Sequence, residues 1–102
     1  SISDIIKGEV ISINIDKLNS KLDITVAFSH FVERRMIFNA EKQLINSKLN
    51  VDIVNICPKF LSSEFKSEYC YDIIKRLSKK NKSISGIIKE IKDNKVVIVS
   101  DK

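Results

Sequence analysis

The chain has 102 residues, 43% of them hydrophobic and 30% charged, which suits one compact domain with a core and is too short for two domains or a large multi-step enzyme. The formal net charge of +5 is uneven: residues 1–58 hold seven Lys/Arg and seven Asp/Glu, net zero, whereas residues 59–95 hold ten against five. Such a one-sided basic surface attracts nucleic acid, acidic lipid or an acidic protein.

No apolar run approaches the roughly 20 residues that span a bilayer, and the opening Ser1, Ile2, Ser3, Asp4 lacks the basic and apolar regions of a signal peptide. A cytoplasmic domain without membrane contact is therefore expected. The 18 Ile, 15 Lys and 8 Asn against 2 Gly, 1 Pro and 2 Ala are the usage of an AT-rich genome. Two cysteines, Cys57 and Cys70, can form at most one bridge, whereas a small secreted scaffold carries more, so both are expected to be reduced.

In chain order, residues 9–16 alternate strictly, with Ile11, Ile13 and Ile15 on one face and Val10, Ser12, Asn14 and Asp16 on the other, which predicts a half-buried strand. After the polar stretch 17–21 the alternation resumes through Leu22, Ile24, Val26 and Phe28, completing an antiparallel hairpin with one wet face. The period then changes. Between residues 31 and 49, Ile37, Ala40 and Leu44 form one row and Phe38, Ile45 and Leu49 a parallel one, an amphipathic helix capped by Ser29 or His30 and closed by Asn50. Residues 51–57 are rich in β-branched side chains and stopped by Pro58, a third strand.

A second helix opens at Ser62 and Ser63, with Phe65, Tyr69, Ile73 and Leu77 stacked on one stripe beside Cys70 and Ile74. Its acidic Glu64 and Glu68 stand near the start and its basic residues near the end, the order that suits the helix dipole. Residues 84–91, the turn 92–95 and the run Val96, Val97, Ile98, Val99 form a second hairpin, whose last strand lacks alternation and is expected to be covered on both sides. The order is β-β-α-β-α-β-β: one α+β domain over residues 1–102, with a mainly antiparallel sheet and two helices on one face.

Chemistry inside this frame is sparse. His30 is the only histidine, and its place at a strand-to-helix junction suits a cap or turn rather than a base. Cys57 and Cys70 fit as small buried hydrophobes. One His and two Cys fall short of the four N/S ligands of a structural zinc, and the acidic residues form no magnesium cluster. Gly8 and Gly86 are too few for a phosphate-cradling loop. No catalytic residue, metal or cofactor is expected. Surfaces remain: Lys75, Arg76, Lys79, Lys80 and Lys82 put five cations into eight residues, and Lys89, Lys92 and Lys95 extend them along the final hairpin. A phosphate backbone binds such a row, and a dipole-matched helix end produces the same pattern. Stacking platforms for single strands are few, with Phe65 and Tyr69 assigned to the core and Tyr71 and Phe60 left outside.

The succession Ile5, Ile6, Lys7, Gly8, Glu9, Val10, the alternating hairpin, the helix through Ile37, Phe38, Asn39, Ala40, Glu41, Lys42, the strand 51–57 and the ending Ser85, Gly86, Ile87, Ile88, Lys89, Glu90, Ile91 together resemble the first N-terminal domain of PolC-type DNA polymerase III alpha subunits, the replicative polymerases of low-GC Gram-positive bacteria. The resemblance covers nearly the whole chain as a pattern of apolar positions and short stretches, without a catalytic motif. It implies a truncated type II KH-like fold, similar to the C-terminal domain of the clamp-loader tau subunit. It also implies an excised, non-enzymatic part of a longer polymerase with a proofreading exonuclease, whose role is to contact replisome proteins, tau above all. The Gly-x-x-Gly loop of nucleic-acid-binding KH domains is missing, since Gly8 precedes Glu9, Val10, Ile11 and Gly86 precedes Ile87, Ile88, Lys89. A monomeric protein-interaction module is the leading expectation. A domain that binds single-stranded nucleic acid through the basic residues of 75–95 is the alternative.

Overall fold

A computed structural model describes residues 5–16, 18–19, 21–28, 35, 39, 41–61, 68–79 and 82–100. Among the described residues, five strands, β1 (Ile5–Asp16), β2 (Lys21–Phe28), β3 (Lys48–Ile56), β4 (Ser83–Lys92) and β5 (Lys95–Ser100), are accompanied by the helical segments α1 (Glu41–Leu44) and α2 (Glu68–Leu77) and by a 3-10 turn at Pro58–Leu61. The α+β class and the β-β-α-β-α-β-β order match the expectation. The sheet goes further than the alternation conveyed. It closes into a barrel in the order β1-β2-β5-β4-β3, every neighbouring pair antiparallel except β1 and β3, which run parallel and seal it. This closure does not confirm the truncated type II KH-like fold that the resemblance implied.

The barrel is filled by aliphatic side chains. Val10, Leu22, Ile24, Val26, Val51, Ile88, Val96 and Ile98 are fully buried, and Cys70, Ile73, Ile74 and Leu77 of α2 belong to the same core. That helical face is the stripe expected from the spacing, worth roughly 1.5–3 kcal/mol for each large side chain removed from water. Cys57 and Cys70 are not joined in a disulfide and are half-buried and buried respectively. A radius of gyration of 13.0 Å is that of one compact unit of this length.

Three strands carry one extra residue each. The β1–β2 register slips between Val10 and Ser12, the β1–β3 register between Gly8 and Glu9, with Ile53 and Asn55 as partners, and the β4–β5 register between Ile88 and Glu90. Ile11, Val54 and Lys89 are thus bulged out, and the inward position jumps by three, from Val10 to Ile13, Ile53 to Ile56 and Ile88 to Ile91. The expected face of Ile11, Ile13 and Ile15 is therefore wrong in part. Ile13 is buried, Ile11 only partly so, and Val10, assigned to the opposite face, lies in the core. A closed barrel needs such bends, because strong coiling cannot be built from evenly pleated strands.

The first helix also differs from its expected span. Leu49 and Asn50 lie in β3, and α1 ends at Leu44. Asn46 takes the left-handed conformation at φ 71°, and its N–H donates to the Ile88 carbonyl at 2.8 Å. Asn accepts that conformation more readily than most residues, so it stops the helix four positions earlier than Asn50 would. The caps assigned to Ser29 and His30, the row at Ile37, Phe38 and Ala40, and the second-helix start at Ser62, Ser63, Glu64 and Phe65 lie outside the described residues. The final hairpin forms as expected: Asp93 and Asn94 have φ of 50° and 67°, the positive pair of a two-residue turn, and Lys92 faces Lys95. In β5, Val96 and Ile98 are buried while Val97 and Val99 are half-buried, so one face is covered fully and the other in part.

Candidate interaction surfaces

The barrel disperses the basic residues that stand close in sequence. Lys75 and Arg76 are exposed on the side of α2 away from its buried stripe, and Lys79 is exposed just past its C-terminal end, where cations suit the dipole. Ser78 reinforces that end, its Oγ donating to the Lys75 carbonyl at 2.9 Å. Lys82 is half-buried; its carbonyl accepts from the Ile53 N–H at 3.0 Å. It lines a surface cleft of about 590 Å³ with Lys7, Asp52, Val54 and Ser78. Asp52 is the register partner of both Lys7 and Ser83, so the cleft crosses β1, β3 and β4. Lys80 lies outside the described residues.

Lys89 occupies another surface. It donates to Asp23 Oδ2 at 2.7 Å and lines a depression of about 500 Å³ that shares no lining residue with the first. The hydrogen bond it donates to Asp23 holds the Lys89 ammonium above its ordinary pKa, with the charge of Asp23 adding to the effect. Lys92 and Lys95 sit opposite one another at the hairpin tip, both exposed. The structure thus brings together Lys92 with Lys95, and Lys82 with Lys7, and it sets Lys89 apart with Asp23.

Among the aromatics, Phe60 is buried and not a surface platform, packed into the core by the 3-10 turn that follows Pro58. Tyr71 is 60% exposed on α2. It precedes Lys75 by four residues and so stands on the same helical row. Phe65 lies outside the described residues, as does His30. No group of three His, Cys, Asp or Glu suited to a metal ion occurs among the described residues, and no described helix is long and apolar enough to cross a membrane.

Sequence reasoning passed over one set of residues. Leu18, read as part of a polar turn, is 91% exposed; Ile15 is 41% and Ile87 38% exposed. The signal was present at Leu18, the one aliphatic residue among Lys17, Asn19, Ser20 and Lys21. Ile15 and Ile87 carried none, because their strands read as ordinary alternation. No family model, curated protein or solved structure matches the chain.

Proposed function

We propose that this domain is a non-catalytic protein-interaction module acting in DNA replication, the N-terminal part of a PolC-type polymerase that docks a replisome protein, with the clamp-loader tau subunit as the partner the resemblance implies. The observation that supports it most is the barrel interior. It is packed with Ile, Val and Leu from all five strands, so the described residues offer a partner their outer surfaces rather than an internal ligand chamber. The exposed cations Lys75, Arg76 and Lys79 then steer encounter with an acidic partner, while apolar anchors hold it.

A single-stranded nucleic-acid reading has one specific observation in its favour, the exposed Tyr71 on the helical row of Lys75. Two titrations separate them. Under the docking reading, purified tau perturbs NMR signals of the domain, and an oligothymidylate produces only weak shifts that vanish with salt. Saturable oligothymidylate binding with a steep salt slope, abolished by Tyr71→Ala and Lys79→Glu, together with no response to tau, would reverse the assignment.

A further inference from the structure

We draw no further inference here: the strongest candidate, the outer face of α2 with the exposed Tyr71, Lys75 and Arg76, belongs to the surface already described, and nothing in the structure shows what covers it.

Discussion

Lys89 reaches over β5 to bond Asp23 at 2.7 Å, tying the two strands that flank β5 across the outside of the barrel. The side chain can do so because Lys89 is the extra residue of the β4 bulge. The folded protein holds its ammonium above the ordinary value of 10.5 through the hydrogen bond it donates to Asp23. A group whose pKa rises on folding stabilises fully below its unfolded value, and that contribution fades as pH climbs through the folded one. Unfolding in urea should therefore show an alkaline loss of stability that begins near 10.5 and is smaller in Lys89→Gln. An identical pH profile in that variant would show that the pair contributes nothing to folding.

Asp16 gives the opposite sign. The side-chain bond from Asn19, then its backbone N–H, holds the Asp16 carboxyl below the ordinary 3.8. Its contribution is present above 3.8 and is lost as pH falls through the lower folded value. Carboxyl NMR should place the Asp16 midpoint under 3.8. Asp16→Ala should speed amide exchange at Leu18 and Asn19, whose N–H groups it caps, while leaving the core amides of β2 protected. Uniform acceleration across the barrel would instead make this turn part of the global folding unit.

Position along β1 makes two isoleucines of one face unequal, since Ile13 and Ile15 both follow the bulge, in regular register with Ile24 and Leu22, and Ile15 stands next to the last residue of the strand. Ile13 is buried and Ile15 is 41% exposed, although strict alternation places them on one face and equates them. Ile13→Ala should cost about 2–5 kcal/mol through lost burial and a residual cavity, against less than about 1 kcal/mol for Ile15→Ala. Denaturant midpoints of the two variants decide it. Equal losses would mean that Ile15 is packed as deeply as Ile13.

That contrast also locates what was legible in the sequence. Alternation identified β1 and β2, β-branched content with the stop at Pro58 identified β3, the turn at 92–95 identified the β4–β5 hairpin, and the stripe Cys70, Ile73, Ile74, Leu77 identified α2, because these signals are local. The bulges were not legible. One inserted residue leaves Ile11 and Ile13 both aliphatic, and nothing in an Ile-rich chain marks which of them turns outward. Closure was invisible for a related reason, since the parallel seam pairs Ile5–Val10 with residues of β3 more than forty positions later. Dispersal of the lysines follows from closure. Lys82 and Lys89 are seven residues apart, but β4 carries one to the cleft beside Lys7 and the other to the depression beside Asp16.

The two glycines give the sharpest test of the barrel. A Cβ on Gly86 would lie 2.4 Å from the Val99 carbonyl oxygen and 2.9 Å from its carbon, both main-chain atoms of the neighbouring strand. On Gly8 it would lie 2.3 Å from Val26 Cγ1 and 2.8 Å from the Ala27 carbonyl oxygen. Both glycines are buried at sites where strands approach too closely for a side chain. Each Gly→Ala change should destabilise by about 1–3 kcal/mol or more, with Gly86→Ala the worse because backbone must move. At Gly8 part of the clash is with a methyl group that can be removed. Val26→Ala opens a cavity by itself, yet it relieves that contact, so the double variant Gly8→Ala with Val26→Ala should lose less stability than the sum of its parts. No such compensation is expected between Gly86→Ala and Val26→Ala, whose clash partners are different. Urea unfolding of the three single and two double variants reads both cycles, and strictly additive losses in the Gly8 cycle would contradict the approach of β1 to β2 at this point.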